Sequence, residues 1–405
     1  MERAGSSRAA VFALAAALGI ALLAGVLYLA TRGDVASPGP GSTSTQDEPP
    51  TSSTPSTTGQ PVPDEFEVAI DEIIDFIEAA RNEQFSSEPQ VHFVGDDEFI
   101  QRLLRDFEED RDEIDRTGRL LVALGLVEEG VDFAESLRKL LGVGVVGFYD
   151  PEAAELVVRG TELTPFVRVV LVHELTHALD DQLYDLDRQD LDDADDESAF
   201  GFSVLVEGSA MRVEEQYRQT LSSQEQFEAT EEELSTGGDT DVSDIPPILT
   251  EVLSFPYLAG PGLVSAIVDD GGEAAIEAAF AEPPTTSEQL LHPDAYLDGE
   301  GAVAVEAPPA DGEVVDEGAF GELVLVELLD SEVERVDAEQ AAEGWGGDWY
   351  VAWEEGDSFC VRVDFVMDTA EDRAELLAAL EEWSANQEAA DIAEAGDSLR
   401  LTACS

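Results

Sequence analysis

The segment His173-Glu174-Leu175-Thr176-His177 constrains the fold of this 405-residue chain more than any other. Residues four apart on a helix stand one turn above each other, so both imidazoles can address one point, with Glu174 beside it. The flanking residues ask for that helix. Thr164 suits the N-cap and Pro165 the first helical position. Phe166, Val169, Val170, Leu171 and Val172 then lead an apolar face into the motif, and Ala178, Leu179, Leu183 and Leu186 continue it. With four histidines in the chain, a chance occurrence is on the order of one in a hundred chains. Two histidines and a glutamate within an apolar helix are costly to bury alone, and together they suit a metal ion. The competing reading, two histidines that merely pack on a helix face, leaves Glu174 unexplained.

A metal held by two histidines needs a third protein ligand, and a catalytic zinc keeps a further position for water. Two glutamates compete. Glu197 follows His177 by twenty residues but lies in Asp192-Asp193-Ala194-Asp195-Asp196-Glu197, which reads as a solvated acidic loop or first helical turn. Glu207 lies in Phe200-Gly201-Phe202-Ser203-Val204-Leu205-Val206-Glu207-Gly208-Ser209-Ala210-Met211. A carboxylate among that many apolar neighbours needs a positive partner, and Gly208 allows its helix to approach another closely. Glu207 is therefore the preferred third ligand.

The segment from Val172 through Gln182, followed by Val206-Glu207-Gly208-Ser209-Ala210, resembles the gluzincin branch of the zinc metallopeptidases. It is most similar to a bacterial group that reads H-E-L-T-H-A-L and then E-G-x-A. The likeness extends over about 140–310, including Gly147-Phe148-Tyr149-Asp150-Pro151 and Ser287-Glu288-Gln289-Leu290-Leu291-His292-Pro293. It implies a mainly helical zincin-like catalytic domain and peptide or protein substrates. It also implies Zn2+ held by His173, His177 and Glu207, with Glu174 as general base. One departure matters: better-known gluzincins often carry an Asp four residues after the third ligand to orient a histidine, and here that position is Met211. The orienting group must come from elsewhere; Asp180, Asp181 and Ser203 are the candidates.

Zincins also use a donor on the far wall of the cleft to stabilise the oxyanion. His292, with Tyr296, comes after the loop-like Pro283-Pro284-Thr285-Thr286 and is the candidate catalytic donor; the alternative is a histidine packed in a turn before Pro293. His92, in Val91-His92-Phe93-Val94, reads as structural, and Tyr149 as a packed aromatic, with a place at the site as its alternative. Residues 144–149 and 155–159 read as a β-hairpin turning at Asp150-Pro151. By analogy with zincins it would rim the cleft, where an extended peptide could add as a strand.

The ends of the chain carry its placement. Arg3 and Arg8 precede an apolar run from Ala9 to Ala30, long enough to span a bilayer, and the N-terminal basic charge favours export of the chain beyond it. Residues 1–34 are thus expected to be a retained signal anchor in the cell membrane, with secretion after cleavage as the alternative. Residues 35–64 are a Ser/Thr/Pro-rich linker with no periodicity. Residues 65–310 form the catalytic domain, with helices expected at 66–77, two or three more within 97–142, and Ile248–Leu258 and Leu263–Phe280 separated at Gly260-Pro261-Gly262. Residues 311–405 form a small α+β lobe, with Glu322–Val326 helical or extended, Trp349–Trp353 a strand and Glu371–Asn386 a helix. The expected class is α+β throughout.

Cys360 and Cys404, on strand-like runs in an exported chain, read as one disulfide. Ninety-one acidic residues against twenty basic ones, a net charge of −71, exclude nucleic acid and anionic membrane surfaces as natural partners. Acid excess with one lysine fits a surface tuned to high salt; a genome that writes Arg for Lys would explain the lysines but not the acids. The acidic runs show no EF-hand spacing and read as solvated loops.

Overall fold

The computed structural model describes residues 64–405 apart from 106, 109, 193–195, 237–241, 357 and 388. The expected membrane anchor Ala9–Ala30 and the linker up to residue 63 lie outside the described residues. The class is mixed α+β, with two sheets.

Helix α1 (Asp64–Arg81) leads into strand β1 (Gln90–Val94), then α2 (Asp96–Leu103), α3 (Arg111–Ala123) and α4 (Phe133–Gly144). Strands β2 (Gly147–Asp150) and β3 (Glu155–Arg159) form the expected hairpin. They build a three-stranded sheet in the order β1-β3-β2, with β1 parallel and β2 antiparallel to β3. His92 lies on β1 and its ring pairs with Glu155 at 3.7 Å, outside the metal motif.

Helix α5 (Pro165–Tyr184) carries the H-E-x-x-H motif. It starts as its sequence requires: the Thr164 side chain accepts from the Val167 N–H, and Pro165 opens the helix where no N–H is needed. Every residue from Val169 to Asp180 is buried, so α5 is a central helix apolar on nearly all sides rather than a surface one. The hairpin lies against it where Gly147 crosses: a Cβ there would meet Val170 Cγ1 at 2.7 Å and Glu174 Cγ at 3.4 Å.

A short helix α6 (Gln189–Asp192) precedes α7 (Asp196–Arg218), which packs along α5. Helix α8 (Ser223–Ser235), started by a capping box between Ser222 and Glu225, also lies on α5, with Ala229 fully buried beside Phe166 and Val170. Helix α9 (Pro247–Gly271) runs unbroken through Pro256 and Pro261, where the sequence suggests a break at Gly260-Pro261-Gly262. Packing overrides local propensity here. Leu253, Tyr257, Gly260, Val264 and Ile267 form its buried stripe, and at Gly260 the backbone touches α7: a Cβ on Gly208 would sit 2.3 Å from the Gly260 carbonyl oxygen. Among the described residues α9 alone is long and apolar enough to cross a bilayer, yet half of that apolar window is buried within the protein. A core helix needs the same composition.

Helices α10 (Ala274–Ala281), α11 (Ser287–Leu291) and α12 (Pro293–Asp298) complete this part. Strand β4 (Glu313–Gly318), helices α13 (Gly321–Asp330) and α14 (Arg335–Ala342), strands β5 (Trp345–Glu355) and β6 (Ser358–Met367), helix α15 (Ala370–Ser384), and strands β7 (Ala390–Ala395) and β8 (Ser398–Cys404) come next. Their sheet is antiparallel in the order β4-β5-β6-β8-β7. Cys360 and Cys404 face each other across β6 and β8 and are joined by the expected disulfide. The core of this lobe is completed by Leu120, Ala123 and Leu124 in and just after α3, so it is continuous with the helical part.

Candidate metal centre

His173, Glu174 and His177 project from the buried middle of α5, and Glu207 faces them from α7. His173 Nε2 lies 2.9 Å from Glu207 Oε2, and His177 Nε2 lies 3.6 Å from the same oxygen. One ligand atom from each of the three residues falls within 4.8 Å of the others. Donors held at zinc distances in a tetrahedron sit roughly 3.3 Å apart, which the two observed spacings bracket. Among the described residues this is the only such group of three.

The hydrogen bonding points the same way. Glu174 Oε1, Glu207 Oε1 and both ring nitrogens of His177 are buried with no hydrogen-bond partner. Buried polar atoms are almost always paired; one ion beside these residues would take His177 Nε2 and the carboxylate oxygens, whereas His177 Nδ1, on the opposite side of the ring, would still lack a partner. Charge accounting gives its sign. Of the buried carboxylates here, Asp180 is neutralised by Arg81 at 2.7 Å, and Glu214 by Arg218 at 2.6 Å. Glu174 and Glu207 have no cationic partner beyond the two imidazoles, and a divalent cation matches them.

His173 measures this demand for positive charge. Burial would lower its pKa, but Glu207 and Glu214 outweigh burial and raise it to about 10. Burial would raise Glu207, but His177 first and then His173 hold it below the ordinary carboxylate range. Glu174 behaves oppositely. Burial dominates there and pushes its carboxyl upward, against the lowering influence of the histidines and of the Tyr149 N–H, which donates to Oε2 at 2.9 Å. A carboxylate so raised is a better proton acceptor.

The group that orients His173 is Glu214, not Asp180, Asp181 or Ser203. Its Oε2 lies 3.2 Å from His173 Nδ1, and an N–H donated there keeps Nε2 turned toward Glu207. Glu214 stands seven residues after Glu207, two helical turns, which returns it to the same face; that periodicity is the signal in the sequence that finds it. Asp180 pairs with Arg81 and accepts from Ser209 Oγ at 2.8 Å, tying α1, α5 and α7 together beside the centre. Asp181 accepts from the Tyr149 hydroxyl at 2.7 Å, and the Ser203 hydroxyl is buried without a partner.

Glu197 does not belong to the group. It is buried in the first turn of α7, where its Oε2 accepts from the Ser287 N–H at 2.6 Å and the Ser287 hydroxyl at 2.8 Å. Two donors from α11 explain why a carboxylate from an acidic run is buried rather than solvated. The structure does not bring His292 to His173, His177, Glu174 or Glu207 either. It lies at the junction of α11 and α12, its Nε2 3.1 Å from Glu322 Oε1, beside a cavity of about 500 Å³ that also exposes Glu288, Asp294 and Asp368. The Tyr296 hydroxyl donates to the Glu282 carbonyl.

The tyrosine that does reach the centre is Tyr257 on α9. It is buried, its ring is 6.4 Å from that of His173, and its hydroxyl donates to Glu207. Burial, then the charges of Glu207 and Glu174, push its pKa well above the ordinary value, so it remains a donor. Nothing local in Ser254-Phe255-Pro256-Tyr257 marks this residue; it faces the metal group because Gly208 and Gly260 let α9 and α7 touch.

Comparison with protein-family models, with curated proteins and with solved structures finds no match.

Proposed function

We propose that the chain is a zinc-dependent hydrolase of peptide bonds, tethered to the membrane by Ala9–Ala30 with its folded part outside the cytoplasm. The observation that carries this reading is the convergence of His173, His177 and Glu207 on one buried point, with the orphaned Oε1 of Glu174 beside it. Arg3 and Arg8 before the apolar run, and the disulfide, support the placement.

His173, His177 and Glu207 would hold the ion, and zinc bound there supplies Lewis-acid activation of water and of a carbonyl oxygen. Glu174 accepts at Oε1 the proton lost by the attacking water and passes it to the departing amine nitrogen. The Tyr149 N–H holds Oε2 meanwhile, so the base keeps one orientation. Glu214 fixes the His173 ring. The Tyr257 hydroxyl, turned from Glu207 to the substrate oxygen, would supply the donor expected from His292.

A second reading has one observation in its favour. His173 and Glu207 are fully buried, and His177 is 4% exposed; structural metal sites are closed, whereas catalytic ones keep an open position. A zincin-like scaffold that holds metal without turnover would look like this. Against it stand the three-ligand set and the orphaned oxygen on Glu174, neither of which a structural site needs. Metal analysis by mass spectrometry of the full-length chain in detergent, beside Glu207→Ala and Glu197→Ala, tests the metal centre. About one zinc per chain, lost with Glu207→Ala and kept with Glu197→Ala, is expected; no zinc, or another metal in its place, refutes the zinc reading. Peptide-library hydrolysis that disappears in a zinc-loaded Glu174→Gln variant separates an enzyme from a scaffold.

A further inference from the structure

We propose that Arg218 is a positioning residue for the metal centre, which it serves by fixing Glu214 against His173, and that helix α8 completes the link through Glu233. This rests on reading His173 as a metal ligand. The links are explicit. Arg218 Nε donates to Glu214 Oε1 at 2.6 Å, and the other oxygen of Glu214 lies 3.2 Å from His173 Nδ1. Arg218 Nη2 donates to both oxygens of Glu233, at 3.2 and 3.1 Å. One guanidinium therefore spans two helices, α7 and α8, with its fork divided between two carboxylates.

The division has a geometric cause. Glu214 is nearly buried, and one oxygen is committed to the imidazole. Its second oxygen needs a donor at a fixed place, or the side chain has no reason to hold its rotamer. A guanidinium presents several donors in a rigid plane, so it can serve Glu214 with Nε and a second carboxylate with Nη2; an ammonium is a single point and cannot hold both in one geometry. Glu233 anchors the far side of that plane. It stands four residues after the buried Ala229, which seats α8 on α5 beside Phe166 and Val170. The seating of α8 thus sets Arg218, Arg218 sets Glu214, and Glu214 sets the ring of His173. A surface helix outside the motif becomes part of the metal site's rigidity.

The test is zinc affinity of the full-length protein, measured by competition with a chromophoric chelator, together with the visible absorption bands of the cobalt-loaded form. Arg218→Ala is expected to weaken zinc binding about 10–100-fold, the range typical for loss of an outer hydrogen-bond partner, and to shift the cobalt bands because the His173 ring is no longer held. Arg218→Lys should fall between Arg218→Ala and wild type. Glu233→Gln, which leaves the Glu214 contact in place, should weaken binding about two- to fivefold, as for one partly exposed charged pair. Arg400→Ala removes a comparable two-bond pair with Asp364 in the C-terminal sheet; it should leave both readouts unchanged, which excludes general destabilisation. Wild-type affinity and unshifted cobalt bands in both Arg218→Ala and Glu233→Gln would overturn the proposal while leaving the metal centre intact. A wild-type protein that binds neither zinc nor cobalt would overturn the metal reading and this inference with it.

Discussion

Substituting Gly208 by alanine should separate α7 from α9 and loosen the metal centre with them. The added Cβ would lie 2.3 Å from the Gly260 oxygen, 2.5 Å from its carbonyl carbon and 2.8 Å from its Cα. No flexible side chain can yield there, because both surfaces are backbone. Relief to ordinary van der Waals separation requires the helices to part by about 1 Å, which forfeits a quarter to a half of the dispersion energy of the contacts lining the crossing. Overpacking of this kind costs about 1–3 kcal/mol, partly offset by roughly 1 kcal/mol from replacing a helical glycine by alanine. A net loss of up to about 2 kcal/mol is expected, read as a lower urea midpoint at unchanged slope in metal-free protein. Glu207 is the adjacent residue, so the same shift should weaken zinc binding in the chelator assay. Gly262→Ala is the control: it lies in α9, its Cβ would meet nothing within 4 Å, and it should stabilise by about 0.5–1 kcal/mol, read as a higher midpoint. If Gly208→Ala matches Gly262→Ala in midpoint and binds zinc as the wild type does, the argument from backbone contact is wrong.

Tyr257→Phe should keep zinc while lowering peptide turnover by about 10²–10³-fold, the effect of losing one oxyanion donor; equal turnover would remove Tyr257 from the mechanism. Glu288, in the acidic cavity, is pushed from 4.5 up to about 7 by burial and then by Glu322, Asp368 and Glu300. Its folded value lies above its unfolded one, so its stabilising contribution is fully present below the unfolded value and is lost as pH rises through about 7. Tm should therefore fall between about pH 4.5 and pH 7, with a smaller fall in Glu288→Gln; identical slopes would refute the assignment. Reducing the Cys360–Cys404 disulfide, which spans 44 residues of sequence, should cost about 3–4 kcal/mol of stability on the loop-entropy account. A chemical-denaturation midpoint indifferent to reductant would argue against it.

The residues of the candidate metal group were legible because each depends on short-range patterning. His173, Glu174 and His177 share one helical turn, and Glu207 stood out as a carboxylate in an apolar run, which physics penalises unless it has a partner. The hairpin at 147–159, the C-terminal strands and the disulfide are readable from alternation, turn residues and cysteine count in the same way. Glu214 lay within reach of the same reasoning at two helical turns from Glu207. The expectation for the orienting group fixed instead on residues nearer the histidines in sequence, and Asp180 turned out to be claimed by Arg81 from α1, 99 positions away, which no local pattern shows.

His292 and Tyr257 mark the boundary between the two kinds of information. A histidine before a proline in a loop attracts attention in sequence, yet the path of α11 and α12 places it against Glu322. Tyr257, locally unremarkable, reaches Glu207 because two glycines from separate helices meet at Gly208 and Gly260. What this sequence determined alone is the set of chemically costly residues, since periodicity and burial cost act over a few residues along one helix. Which of them meet, and which tyrosine faces the metal group, was decided by helix crossings between segments tens of residues apart, where close packing selects one arrangement that no local window contains.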